Sequence, residues 1–315
     1  MGDQFSGERR LSVVIAIPTF RRPKRLEALL RTLPERVAEA YWVDVGVLVI
    51  DNDPEGTAEA AAKSVQLPSL RYVLEPKPGI AAARNRALAE AEDFDLLAFI
   101  DDDEVPRESW LSALLETKEK TGASAVMGRL ITEFPPDVDP WVRAGRFFQR
   151  PSWATGTPLQ MAATHNLLLD LAHVRDFGLD FDESLGLAGG EDSAFTLDLV
   201  RRGGTIVWCQ ESVAVDHIEL DRVTRSALLR RAFAHGNVDA RLRIAGAKFG
   251  GERLLVKARI LLRGLIRIAA GAVRTVWGFL TQSPGHDARG RRMLRRGGGM
   301  IAAIFGTEFE EYSRS

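Results

Sequence analysis

The chain has 315 residues, 45% of them hydrophobic and 27% charged, with a formal net charge of −1. That is ordinary globular composition, long enough for one large α/β domain with an extension or for two domains. Its single cysteine, Cys209, excludes an intramolecular disulfide framework and a CxxC-type zinc site, and fits a reducing compartment. The near-zero net charge hides an asymmetry. Between Arg222 and Ile301, 18 Lys and Arg stand against three Asp and Glu, a local charge of +15 that leaves −16 for the rest. Such a split points to an anionic surface as a partner, membrane or nucleic acid.

The first ~120 residues alternate strand and helix signals. LSVVIAI (11–17) is too short and too β-branched for a secretory signal and reads as a buried strand. MGDQFS matches the loose myristoylation pattern, with Asp3 against it and no second lipidation signal. A helix is predicted from about Pro23 to Leu33, a buried strand over VDVGVLVI (43–50), and an Ala-rich helix over 57–64. LRYVLE (70–75) is a short strand, IAAARNRALAEAE (80–92) a helix, LLAFI (96–100) a strand and SWLSALLETKEK (109–120) a helix. Short apolar strands alternating with helices predict an α/β fold with a mostly parallel sheet flanked by helices. Ligands on such sheets bind at the carboxyl ends of the strands. Three strands end there in polar clusters: Pro18-Thr19-Phe20-Arg21-Arg22, Asp51-Asn52-Asp53, and Asp101 to Glu104.

The acidic run FIDDDE carries the strongest chemical signal. Four successive carboxylates repel one another, and Asp101 and Asp103 in a loop past a strand suit a hard divalent cation, Mg²⁺ or Mn²⁺, completed by substrate phosphates. No Walker A loop and no GxGxxG fingerprint is present, so the usual ATPase and dinucleotide readings lack their phosphate cradles. PKPGIAAARNRAL offers Gly79 before a helix, with Arg84 and Asn85 about one turn in. GGEDSAF (189–195) places Glu191 and Asp192 at a helix start, where an acid can be a cap or a general base. His217 follows the strand-like TIVWCQESVAV and could be structural or a metal ligand.

Residues 253–280 form one long apolar stretch punctuated by arginines. On an ideal helix Arg259, Arg263, Arg267 and Arg274 fall within roughly 80° of one another. The opposite face carries Leu254, Leu261, Leu265, Ile268, Ala272 and Val276. Each arginine at mid-bilayer costs about 2.5–3.5 kcal/mol on insertion scales, which argues against a spanning helix. An amphipathic helix in an anionic membrane interface fits better than packing on the catalytic domain. Sparse aromatic interleaving and the lack of a binding motif exclude nucleic acid.

Taken in order, PTFRRP, VIDND, GIAAARNRAL, FIDDDE, GGED and His217 resemble the family 2 glycosyltransferases of GT-A fold, closest to the succinoglycan-type exopolysaccharide glucosyltransferases. The resemblance covers about residues 11–235. It implies a nucleotide-sugar-binding α/β half (1–120), an acceptor and catalytic half of the same domain (121–235) and a basic, membrane-associating helical extension (236–315). Pro18, Thr19 and Arg21 would border the nucleotide, and Asp51 its uracil or ribose. Gly79, Arg84 and Asn85 would lie near the diphosphate, and Asp101 and Asp103 would be the two aspartates of a DXD motif with Asp102 on ribose or donor sugar. Glu191 would stand on the donor side, Asp192 would be the general base, His217 an accessory metal ligand, and Asn166 a donor- or acceptor-side contact. The activity implied is an inverting, metal-dependent transfer from a UDP-sugar, with UDP-glucose the family-weighted donor, to a saccharide acceptor on a lipid diphosphate. It would take place at the cytoplasmic face of the cell membrane. Alternatives are a retaining transferase, a nucleotidylyltransferase of related fold, or a non-catalytic membrane-bound glycan-binding scaffold.

Overall fold

The computed structural model describes residues 9–307 apart from 68, 151, 186–188, 219–222 and 248–249, so the MGDQFS pattern lies outside the described residues. Aliphatic, β-branched runs form strands where both sheet faces are covered. Strands β1 (Ser12–Thr19), β2 (Asp44–Asp51), β3 (Leu70–Leu74) and β4 (Leu96–Phe99) are mutually parallel, with β1 between β2 and β4 and β3 outside β2. Helices α1 (Pro23–Leu30), α2 (Leu33–Glu39), α3 (Glu59–Lys63) and α4 (Ile80–Glu90) join them. Pro34 splits the predicted first helix from a second one: it opens α2, because a proline suits a helix's first turn and not its interior.

Alternation along β1 assigns its side chains to two cores. Val13, Ile15 and Ile17 pack with Leu26, Leu30 and Trp110, while Val14 and Ala16 pack with Ala83, Phe99 and Phe181. Each such aliphatic side chain contributes about 1.5–3 kcal/mol when fully buried.

Beyond β4 come β5 (Glu104–Pro106), α5 (Trp110–Thr121), β6 (Ala125–Glu133), α6 (Pro140–Gly145), β7 (Pro158–Leu159), β8 (Leu167–Asp170), α7 (Leu171–Asp176), α8 (Glu191–Arg201) and β9 (Ile206–His217). The sheet continues as β4-β8-β6-β9-β5, with β7 also on β9. The pairs β4–β8, β6–β8, β5–β9 and β7–β9 are antiparallel, so a parallel half carries an antiparallel extension. Glu104–Pro106, expected to be loop, is a short strand.

Two compact units interleave in the sequence instead of following contiguous segments. The first holds residues 1–131, 152–183 and 195–216, and the second 132–151, 184–194 and 217–315. In the second unit α9 (Arg225–Ala245), α10 (Gly250–Leu280) and α11 (Pro284–Ile304) pack together, and α6 also packs on α11. The face of α10 that meets α11 is a glycine seam, not the leucine face. Gly264, Gly271 and Gly278 are buried one heptad apart, and a Cβ on any of them would collide with α11. Backbones approach closely because both helices present small residues there.

Candidate active site

Parallel pairing sets Thr19 of β1 opposite Asp51 of β2, and Ala16 opposite Phe99 of β4, so the three polar segments leave the sheet on one edge. There Thr19 Oγ1 donates to Asp102 Oδ2 at 2.7 Å. Arg22 Nη1 donates to Asp102 Oδ1 and to Asp103 Oδ2, both at 3.0 Å, and Arg25 Nη1 to Asp103 Oδ2 at 3.0 Å. Guanidiniums around the start of α1 therefore relieve the repulsion expected to need a cation. Arg22 belongs to the polar cluster at the end of the first strand but had no role assigned from sequence, and Arg25 was not named. The available signal was their spacing of three across Pro23, which starts a helix and puts both side chains on one face.

Opposing forces act on this pair of groups. Burial works against the Arg22 charge, but Asp102 and Asp103, with Asp101, hold its pKa above the ordinary value. Burial, helped by the charge of Asp103, lifts the Asp102 carboxyl against the pull of Arg22 and Thr19.

Asp51 is completely buried and accepts from the backbone N–H of Asp53 at 3.0 Å and of Ala58 at 2.9 Å, and from Tyr72 Oη at 2.9 Å. It shapes the loop after β2 from within the fold. Asn52 ties that loop to the next: its amide donates to the carbonyls of Glu75 (2.9 Å) and Lys77 (2.6 Å) and accepts from Gly79 N at 3.0 Å. Gly79 stands at φ 119°, a conformation side chains rarely adopt, and α4 starts from it. Pro18 is buried in β1 opposite Ile50. Arg21, in the left-handed region at φ 53°, reaches Asp53 Oδ2 with Nε at 3.3 Å and keeps half of its side chain in solvent. Desolvation opposes the Asp53 charge, yet hydrogen bonds from Thr57, Glu55 and Arg21 hold its pKa below the usual carboxylate range.

Arg84 is buried, with Nη2 at 4.0 Å from Asp101 Oδ1 and its guanidinium over the Phe181 ring at 5.7 Å. Asn85 clamps the backbone of Phe181, donating to its carbonyl at 2.9 Å and accepting from its N–H at 2.8 Å. Its amide also reaches Glu183, which pairs with Lys77. Asn166 stands just ahead of β8 at φ 50°. It is fully buried, accepts from Trp110 Nε1 at 2.7 Å and Ser212 Oγ at 3.1 Å, and donates to the carbonyls of Arg129 and Ser212. With its amide saturated, it locks β6, β8 and β9 to α5. Glu104 is buried at the head of β5, opposite Asp216.

In the second unit, Gly189 (φ 77°) and Gly190 (φ 95°) turn the chain into α8. Glu191 is buried, and Asp192 is half-buried with Oδ1 accepting from the Ser193 N–H at 2.6 Å. His217 ends β9 with its ring more than half exposed and Nδ1 3.5 Å from Glu133 Oε2. Among the described residues, no three His, Cys, Asp or Glu side chains gather to hold a metal ion. Asp101 and Asp103 still offer two hard oxygen donors on one loop, with Asp101 over a third exposed. That set suits Mg²⁺ or Mn²⁺ if substrate oxygens complete the shell.

The sequence profile of glycosyl transferase family 2 matches residues 14–174, which contain the whole rim. The chain belongs to glycosyl transferase family 2. It is 35% identical over 236 residues to the succinoglycan biosynthesis protein ExoM of Rhizobium meliloti (strain 1021), spanning 74% of this chain and 75% of that one. Among solved structures, S. aureus TarS 1–349 in complex with UDP-GlcNAc superposes with TM-score 0.51 at 14% identity, over 90% of each chain. GalNAc-T7 with UDP, GalNAc and Mn²⁺ gives TM-score 0.52 at 13% identity, over 77% of this chain and 52% of that one. The fold of this family 2 glycosyltransferase is accordingly GT-A.

Proposed function

We propose that this family 2 member transfers a sugar from a UDP-sugar, with UDP-glucose the first donor to test, to a saccharide acceptor, with inversion, in exopolysaccharide biosynthesis. One observation carries the donor side of the reading: the ends of β1, β2 and β4 converge on a single hydrogen-bonded rim, with Thr19, Arg22 and Arg25 on Asp102 and Asp103, and Arg21 on Asp53. The 35% relative works in succinoglycan biosynthesis, and the two structural neighbours were solved with UDP-GlcNAc or UDP, which supports this class of donor and product.

Asp101 and Asp103 would hold a Mg²⁺ or Mn²⁺, whose chemistry is to neutralise charge developing on the departing diphosphate. The protein's own groups do the remainder. Buried Arg84 beside Asp101 adds positive charge at that edge. Thr19 and Arg22 hold Asp102 in one orientation for ribose or donor sugar, and the Asp51–Asn52 knot fixes the loops that flank the nucleotide. Asp192, at the head of α8, takes the proton of the acceptor hydroxyl as its oxygen attacks the anomeric carbon. A single displacement inverts the configuration, so an α-linked donor yields a β-linked product. Glu191 and His217 are assigned supporting roles, on the donor side and as an accessory ligand.

Membrane association is part of the same reading. No described helix is long and apolar enough to cross a membrane. Yet α10 exposes Leu254, Leu262, Leu265, Ile266, Val273, Trp277 and Phe279, with Arg259 and Arg263 also exposed. A wide apolar face flanked by arginines suits the anionic inner face of the cell membrane, where a lipid-diphosphate-linked acceptor would be reached. A screen of nucleotide sugars for UDP release with Mn²⁺ or Mg²⁺ tests the activity. We expect turnover with one UDP-hexose and loss of it with EDTA; absence of UDP release with every donor and acceptor would overturn the reading.

A further inference from the structure

The second unit contains a cavity of about 410 Å³ whose polar lining is Arg146, Arg150, Arg274, Arg289, Arg292 and Gln149. Among the described residues, no acidic side chain lines it. The arginines converge from three places: Arg146 and Arg150 from the segment after α6, Arg274 from α10, and Arg289 and Arg292 from α11. Backbone carbonyls hold two of them. Arg289 Nε donates to the Gly285 carbonyl at 2.8 Å, and Arg292 Nη1 to the Arg146 carbonyl at 2.9 Å, while Arg146 caps α6 at φ 53°. Arg274 Nε is buried with no hydrogen-bond partner among the described residues. Among the described acids of this unit, Asp139 pairs with Arg225, Asp287 with Arg291 and Asp239 with Arg243.

The electrostatic cost shows in the groups themselves. Desolvation first, then Arg274 and Arg146, lowers Arg289 from its ordinary value, and desolvation with Arg296 and Arg267 lowers Arg292. A concave cluster of like charges is stable only if something offsets it. Guanidiniums, with their planar forks of N–H donors, match multiply charged oxyanions in both charge and geometry. The volume falls in the range of small-ligand sites. Arg274 also sits on α10, the helix that exposes the long apolar face, so the cavity and an apolar surface share one element.

We propose that this arginine pocket binds the phosphate or diphosphate group of a phosphate ester, carried on a lipid that α10 meets with its apolar face. The pocket stands independently of the transfer chemistry; only the lipid as carrier rests on the membrane reading above.

The test uses the full chain and the double variant Arg289→Gln, Arg292→Gln. Calorimetric titration with inorganic diphosphate in EDTA reads the oxyanion site alone, and flotation with phosphatidylcholine vesicles, with and without 20 mol % phosphatidic acid, reads the lipid source. We expect the wild-type chain to bind diphosphate and the double variant to bind at least tenfold more weakly. Vesicle binding that needs phosphatidic acid, depends on the two arginines and is competed by free diphosphate assigns the lipid-borne source. Diphosphate binding through the two arginines with vesicle binding unaffected by them overturns the lipid carrier. Equal affinity of wild type and double variant for both probes, or no binding of either probe, overturns the site. The charge-retaining pair Arg289→Lys, Arg292→Lys controls for folding: it keeps binding within a few-fold if charge is what matters, and a loss equal to that of the glutamine pair overturns a charge-based site. UDP release is read separately. A chain that turns over donor but ignores diphosphate sinks the pocket alone, whereas Arg289-dependent diphosphate binding without turnover sinks the transferase reading alone.

Discussion

In the first unit, the acidic residues Asp102 and Asp103 are met by Arg22 and Arg25, about eighty residues away in the chain. In the second, five arginines line one cavity, and among the described residues no carboxylate lines it with them. Clusters of one sign are costly in both places; guanidiniums answer the first, while the described lining of the second is all of one sign. An internally balanced cluster can serve as a stable platform for other groups. An unbalanced one stores repulsion that a ligand of opposite sign relieves, and on that ground we read the two differently.

The largest expected effect separates the chemistry from either charge cluster. Asp192→Asn should reduce UDP release by about 10²–10⁴-fold, the usual worth of a general base. Calorimetric UDP binding should stay close to wild type, since the donor rim is untouched. Near-normal turnover by this variant would remove Asp192 from the mechanism.

Next comes a direct contrast in stability. Arg22→Gln leaves buried Asp102 without its cation, keeping only the Thr19 hydrogen bond, which should destabilise by about 2 kcal/mol, short of the 3–5 kcal/mol of a fully buried pair because Arg22 is 37% exposed. Arg289→Gln, which deletes one of several mutually repelling charges, should leave the urea midpoint unchanged or higher. Equal losses in both variants would erase the distinction between a balanced and an unbalanced cluster. A third substitution sharpens the basic side further. Leu262→Glu with Ile266→Glu on the exposed face of α10 should cut binding to anionic vesicles tenfold or more at unchanged melting temperature; unaltered flotation would rule out that face as the membrane contact.

Much of the first unit was legible because its signals are local. Buried strands announce themselves as LSVVIAI, VDVGVLVI and LLAFI, and together with LRYVLE they form the expected parallel half. The polar clusters at their ends were readable for the same reason. Roles that depend on contacts remote in sequence were not. Nothing in THNLLL says that Asn166 saturates itself on Trp110 and Ser212, or in VIDND that Asp51 faces inward to Tyr72. For α10, the leucine periodicity marked a face that stays largely exposed and gave no sign of the face that packs on α11. The glycines at 264, 271 and 278 were in plain view at heptad spacing, but a glycine buries so little area that apolar periodicity ignores it.

The finest prediction reads the field of the arginine cluster without touching its ligand. His235 on α9 is held low, at about 4 against 6.5, by desolvation first and then by Arg231, Arg296, Arg292 and Arg150. Its surface is exposed, which weakens the desolvation and leaves the four guanidiniums as the durable cause. The folded state therefore favours neutral imidazole. The stability this contributes is fully present above pH 6.5 and is lost as pH falls from there towards 4. Arg292→Gln removes one of the four charges, so the His235 titration followed by NMR should move up towards 6.5, and the acid-side loss of stability should shrink. Inorganic diphosphate should push the same resonance upward in wild type and have little effect in the Arg289→Gln, Arg292→Gln chain. A titration indifferent to both changes would mean that burial alone sets His235, and that the arginines do not act on it as one field.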